Sequence, residues 1–261
     1  MRVDAIICVA TALLIGLAQF DVLAADLTVE QVRDILIKAA PGKPANLSGK
    51  NLSDLDLSRL NFRGAKLAGA SFFGAKLVSA NLAEADLSGA NLNGAWLMGA
   101  NFSGANLSGA SLLSVVILGG EVKEMPNFAG ANLSGARMIA DLPKANLSGA
   151  KLTNARIGVD IKNQGMGQMR TDLSGANLAG ANLAGADVNR TLLSYANLRD
   201  TDLTGTNFFR AKLSGADLTG ADVSGADFTE ADLDGAIFKG VKGLDKAKGL
   251  NQAMNRDKAI F

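Results

Sequence analysis

Met125, Met138, Met166 and Met169 lie close together in the sequence, and their thioethers are soft ligands of the kind that suit Cu(I). Methionine is also a common filler of irregular gaps, and Met138 stands at an apolar position of a regular pattern, so packing competes with copper binding. Asp217, Asp222, Asp227, Glu230, Asp232 and Asp234 form a second group, whose oxygens could bind Ca²⁺ if they closed a cage. They are strung out along the chain instead, which reads as a solvated face. Glu and Asp pairs could also exchange protons with a substrate, but no pattern here encloses one. There is no His, and the one Cys, Cys8, lies in the apolar N-terminal run, so disulfides, thiol nucleophiles, histidine bases and Cys/His zinc sites are excluded downstream of it. The glycines make no phosphate cradle, since neither GxGxxG nor GxxxxGK[ST] occurs between a strand and a helix. The expectation is a protein without cofactor or catalytic site.

What must position these side chains is a five-residue period. Ala-Asn-Leu-Ser-Gly at 45–49, Ala-Lys-Leu-Ala-Gly at 65–69, Ala-Asp-Leu-Ser-Gly at 85–89 and Ala-Asn-Phe-Ser-Gly at 100–104 are examples. The Leu or Phe centres run from Leu47 to Ile117 without a missed step, then at 128, 133 and 138, at 147, 152 and 157, and from 173 to 238. Ala and the centre are two residues apart, so in an extended segment both point to one side. The next Ala comes three residues after the centre, which requires a bend at the Ser-Gly step, where glycine tolerates tight backbone angles. A helix fails on both counts: five residues match no face of a 3.6-residue period, and a Gly in nearly every repeat costs about 1 kcal/mol each. The chain therefore winds into a narrow tube with Ala and Leu or Phe inside, its coils paired at about 4.8 Å.

In this pattern of small residue, Asn or Asp, Leu or Phe, polar residue and Gly, the chain resembles the pentapeptide-repeat family. The resemblance implies an all-β, right-handed, four-sided β-helix with four pentapeptides per coil, hence about nine coils and a rod near 40 Å long. It assigns each centre to a side: side one takes 47, 67, 87 and 107, continued by Phe128, Leu147, Leu173, Leu193, Leu213 and Leu233. Side three takes 57, 77, 97, 117, 138 and 157, and side four takes 62, 82, 102, Val122, Leu142 and a position near Lys162. The solenoid is expected over 45–240, interrupted at 119–127, 139–144 and 158–170.

On this assignment every interruption falls at side four or its corners: an extra residue near Met125-Pro126, a missing one before Pro143, and a protruding loop from Gly158 to Arg170. The outer surface of side three then carries Trp96 and Met98, Val116 and Leu118, Arg137 and Ile139, and Arg156. An exposed apolar strip with the chain's one Trp has the composition of an interface. Two readings stand: Met166 and Met169 fold back over Trp96 and Leu118 as a local core, or the strip and the loop residues Asn163, Gln164, Met166, Gln168, Met169 and Arg170 form a groove for a partner.

The ends complete the plan. Arg2, the apolar run from Ala5 to Ala18 and Val22-Leu23-Ala24 read as an export signal, residues 1–24, cut after Ala24, with no membrane span remaining. Loss of Arg2, Asp4 and Asp21 leaves 25 basic against 23 acidic groups, a balance with no general pull toward nucleic acid. Thr28 and Gln31 have capping-box spacing ahead of Val32, Ile35, Leu36 and Ala39, giving a capping helix and linker over 25–44. Residues 241–261 leave the five-residue rhythm as an irregular or helical C-terminal cap. The leading reading is a periplasmic or secreted, non-catalytic interaction or scaffolding solenoid with a protein partner in the envelope. A homodimer is compatible with the same strip. Some relatives in the family mimic duplex DNA and bind DNA gyrase, which makes that the second reading, and a copper or calcium module is the third.

Overall fold

The computed structural model describes residues 24–40, 42–117, 124–159 and 170–261. Residues 1–23 of the expected export signal, Leu118, Val122 and the loop residues Asn163, Gln164, Met166, Gln168 and Met169 lie outside them.

The five-residue rhythm becomes a ladder of parallel bridges running up four sides. Side one pairs Asn46, Lys66, Asp86, Asn106, Asn132, Lys151, Asn182, Asp202, Asp222 and Lys242 in turn. Side two runs from Asn51 through Ser71, Asn91, Ser111, Arg137 and Arg156 to Asp187 and beyond; the Ser111 to Arg137 step lies in the strand pair described below. Side three includes Asp56, Lys76, Trp96 and Val116, then Asp141, Asp172, Leu192, Lys212 and Asp232. Side four runs from Asn61 and Asn81 through Asn101, Asn127, Asn146, Asn177 and Asn197 to Asp217. Each centre follows its bridge residue and points inward, so Leu47, Leu67 and Leu87 are fully buried with the Ala residues between them. Where Asn or Asp precedes the centre the bend is also tied locally: the amide after the centre bonds to that side-chain oxygen two residues back, as Ser88 does to Asp86 at 3.1 Å.

This ladder corrects the expected side assignment. Phe128 stands over Phe102 on side four and not over Leu107 on side one, because Asn127 pairs with Asn101 and Asn132 with Asn106. Like stacks on like: the Phe102 and Phe128 rings lie 5.0 Å apart at 8°, and the Asn127 amide donates to Asn101 Oδ1 at 3.4 Å. The same register moves Met138 and Ile157 to side two, and Leu142 and Leu173 to side three.

All three breaks consequently flank side three, not side four. From Ile117 to Phe128 the chain takes eleven residues where a regular step takes five; Met138 to Leu142 takes four; Ile157 to Leu173 takes sixteen. The short step removes a bend, and the chain there straightens into the two parallel strands, β1 (Ser111–Val115) and β2 (Arg137–Ala140), with a register shift between Leu113 and Val115. Ser114 takes up the shift in a left-handed conformation, φ 53°.

An α-helix, α1 (Val29–Ile37), stands at the N-terminal end. Its Thr28 side chain accepts from the Gln31 amide, and the Gln31 side chain accepts from the Thr28 amide. Val32 is buried, with Leu27, Ile35 and Leu36 packed against the core. The Asp26 amide donates to Asn51 O at 2.7 Å, which ties the approach to the helix to the first coil.

The other end, expected as an irregular or helical cap, is a regular winding that carries short 3-10 turns. Lys242, Lys248, Met254 and Ile260 bridge to Asp222, Asp227, Asp232 and Ile237, so the last coil has six residues per side. The repeat is Lys-Gly-Leu-Asp-Lys-Ala, Lys-Gly-Leu-Asn-Gln-Ala, Met-Asn-Arg-Asp-Lys-Ala. Gly243, Gly249 and Asn255 turn left-handed, and each is followed by one 3-10 turn: Leu244–Lys246, Leu250–Gln252 and Arg256–Lys258. These turns lay Leu244, Ala247, Leu250, Ala253 and Ala259 against the core, and Phe261 stacks on Phe238 at 5.1 Å.

Candidate functional site around side three

The repeat positions one outward residue before each centre and one after it. On side three these begin with Asp56, Lys76 and Trp96, where Lys76 Nζ lies 3.9 Å from Asp56 and 6.0 Å from the centre of the Trp96 ring. Lys76 thus links a carboxylate to an aromatic face, an arrangement of weak attractions at a half-exposed site. Trp96 and Val116 are both half-buried and bridge directly, Val116 N–H donating to Ala95 O at 2.8 Å.

Met98 departs from the expected exposed strip. It is 2% exposed, so it belongs to a covered layer outside the tube. The chain returns beside it, where Gly99 N–H donates to Glu124 O at 2.7 Å, Met125 packs against the core and Pro126 is buried.

Arg137, Ile139 and Arg156 also depart from it. They stand on side two, Arg137 bridging Ser111 below and Arg156 above, with Ile139 opposite Leu113. Both Arg residues are exposed and Ile139 is half-buried. The candidate residues therefore wrap the corner between sides two and three and do not line one face. Arg170 is exposed where the second long break rejoins the rod.

The rejoining point is fastened by Thr171, which replaces the usual inward Ala. Its buried hydroxyl lies 2.7 Å from Ile157 O and 3.1 Å from Met138 O. The departure point is fastened by Asn189, whose side-chain amide donates to Asp187 Oδ1 at 2.8 Å and to Val159 O at 3.4 Å. Gly158 leaves room for this side chain, since a Cβ there would stand 2.6 Å from the Asn189 backbone nitrogen.

Between the two long breaks, side three presents Asp141 and, on the next coil, Asp172. Burial, and then the neighbouring Asp172 charge, hold the Asp141 carboxyl above its ordinary range. Among the described residues no three His, Cys, Asp or Glu side chains gather where they could hold a metal ion. On the late coils of side one Asp202 bridges Asp222, but Lys242 follows and Lys66 and Lys151 interrupt the same side lower down. Met138 is a buried centre, 1% exposed.

The sequence reading named Glu230 only among the late carboxylates and did not bring it together with Arg190 and Arg210; the three take the turn position of three successive coils at the same corner. The signal was available, since glycine or a small residue usually stands there.

The family model for pentapeptide repeats matches in eight copies, over residues 45–74, 65–104, 75–112, 127–157, 171–208 and 206–242. Among solved structures the chain is similar to HetL, a pentapeptide repeat protein involved in heterocyst differentiation regulation in the cyanobacterium Nostoc sp. strain PCC 7120. The identity is 28%, over 90% of this chain and 94% of that one, with a TM-score of 0.37. It is also similar to Rfr23 of the cyanobacterium Cyanothece 51142, at 28% identity over 46% of this chain and 90% of that one, TM-score 0.25. QnrB1, described as a plasmid-mediated fluoroquinolone resistance protein, aligns at 19% identity over 78% of this chain and 89% of that one, TM-score 0.32. No curated protein matches the chain.

Proposed function

We infer the function of this chain from the fact that it belongs to the pentapeptide-repeat family, whose members fold as right-handed quadrilateral β-helices and are generally non-catalytic structural or interaction proteins. Its role on this reading is that of an exported, non-catalytic scaffold that binds a protein partner at the corner of sides two and three. The observation that carries it is the clustering of all three breaks around side three, next to the half-exposed Trp96 and the exposed Arg137 and Arg156.

A regular rod offers a partner nearly interchangeable coils; a break in register is what marks one position. Trp and Arg are the side chains most often found as binding anchors. Export is supported by the apolar run ahead of Ala24 and puts the partner in the envelope. Mimicry of duplex DNA fits less well, because side one mixes both signs of charge, with Lys66, Asp86, Lys151, Asp202, Asp222 and Lys242 in order.

Replacing Trp96 with Ala is expected to weaken partner binding by about 2 kcal/mol, roughly thirty-fold. The check is a pull-down from the envelope fraction with the wild-type and variant proteins, alongside their melting temperatures. A fall in melting temperature with unchanged binding by the folded protein would assign Trp96 to packing and remove the binding surface. Mass spectrometry of the mature protein is expected to find Ala25 as the first residue; an intact Met1 in a cytoplasmic pool would remove the export.

A further inference from the structure

Outward side chains on successive coils stand about 4.8 Å apart, close enough to bond or to repel. An Asn above an Asn or Asp can donate to the residue beneath, as Asn81 does to Asn61 at 3.0 Å and Asn106 to Asp86 at 2.9 Å. Among the described bridges two place Asp directly over Asp: Asp202 with Asp222, and Asp141 with Asp172. Stacked carboxylates repel unless other groups donate to them.

The Asp202 pair is compensated. Asp202 accepts from the Thr204 amide and from the Asn182 side chain, each at 3.0 Å. Asp222 accepts from Ser224, whose amide lies at 2.9 Å, and Lys242 and Lys246 add to the effect, so its carboxyl is held below the usual range. The Asp141 pair is not. Asp172 accepts from the Ser174 amide at 2.7 Å, but two residues after Asp141 stands Pro143, which has no N–H to give. Neither carboxylate has an ion pair among the described residues. Lys144 follows in the turn with its stem beside Gly175, Arg170 precedes Asp172 by two residues, and Lys212 higher on the side is taken by Asp232 at 3.1 Å. Arg137 and Arg156 stand on side two, and side four presents the uncharged Asn127 and Asn146 at this level.

The uncompensated pair sits on a joint. Asp172 N–H donates to Ala140 O at 3.0 Å and Leu142 N–H to Asp172 O at 2.8 Å, so the coil that starts after the second long break is fastened here to the end of β2. We propose that Asp141 and Asp172 are a proton-operated latch on this joint: in acid Asp141 takes up a proton and donates it to the Asp172 oxygen that Ser174 leaves unused, and at neutral pH the two carboxylates push the coils apart. The sign follows from the Asp141 carboxyl, which burial and then Asp172 hold above its ordinary range. The tie is complete in acid and is lost as the pH rises through that raised value. It does not depend on the partner-binding reading.

The test is amide hydrogen exchange of the intact protein, read by NMR as protection factors from about pH 7 down to about pH 4. The amides of Leu142 and Asp172 report on the joint, and those of Leu87 and Leu107, in regular coils, serve as reference. Protection at the joint is expected to rise about threefold on acidification and to stay level at the reference amides. In Asp141→Asn, whose side-chain amide donates at every pH, the joint should keep its acid level of protection throughout. In Pro143→Ser, which restores the turn amide, the step should move to lower pH. The proposal is overturned by a parent joint without a step, by an equal step at Leu87 and Leu107, by a step that persists in Asp141→Asn, or by one at unchanged pH in Pro143→Ser.

Discussion

At Leu87 and Ser88 the chain's two environments are one residue apart. Leu87 is fully buried in the tube, so Leu87→Asp places a carboxylate where neither water nor a counter-charge can reach it. The cost is several kcal/mol, against a domain stability of about 5–15 kcal/mol, and the variant is expected not to fold; Ser88→Asp should keep the wild-type circular dichroism and melting behaviour. Glycines separate in the same manner. Gly109 turns left-handed in open space, so Gly109→Ala costs only the backbone penalty of about 1–2 kcal/mol. Gly158 carries no such backbone strain but faces the Asn189 backbone, and Gly158→Ala should destabilise by a comparable 1–3 kcal/mol through overlap, loosening the tie between Asn189 and Val159. Thermal melts of both, with proteolysis near the second break, separate the two causes: only Gly158→Ala should speed cleavage there. Inward positions were legible from sequence because the alternation of Ala and centre is local. Met98 was not, since an outward residue becomes buried only where the chain returns beside it, at Glu124 and beyond.

The elements divide along the same line. Thr28 and Gln31 announced α1, because a capping box is a local signal, and the helix formed where they placed it. The six-residue terminal coil is just as visible in Lys-Gly-Leu and Lys-Gly-Leu again, and was missed because the period searched for was five. Register across the breaks was the harder matter: counting residues favoured the smallest insertion, whereas the ladder favours stacking Asn127-Phe128 on Asn101-Phe102. That choice turned a supposed strip on one side into a corner of two, with Arg137, Ile139 and Arg156 on side two. It also placed Asp141 beside Asp172. A carboxyl whose folded pKa is raised resists ionisation in the fold, so it penalises folding fully above that pKa, and the penalty vanishes below the unfolded value near 3.9. Asp141→Asn is therefore expected to raise the melting temperature at pH 7 and to leave it unchanged near pH 3. An equal gain at both values would mean that the charge is not the cause.

On the scale of the molecule, the two ends of the stack carry different elements, a helix at one and the six-residue coil at the other. An open coil leaves unpaired amides and carbonyls at the edge and apolar centres at the end, which invites another chain. Deleting residues 242–261 uncovers Phe238 and its neighbours, and the shortened protein is expected to melt lower and to self-associate, as read by light scattering against the full chain. The interval between stacked partners has a further consequence for how such a rod would yield to tension. Partners on successive coils are 20 residues apart in the regular stretches, as in Asn61 to Asn81, but 26 apart from Asn101 to Asn127 and 31 from Asn146 to Asn177. Pulled from its ends, the chain would peel away one turn at a time. A regular turn would release about 70 Å of thread, and the two interrupted ones about 90 and 105 Å, so the flaws in the winding would show as two long teeth in an otherwise even saw-tooth.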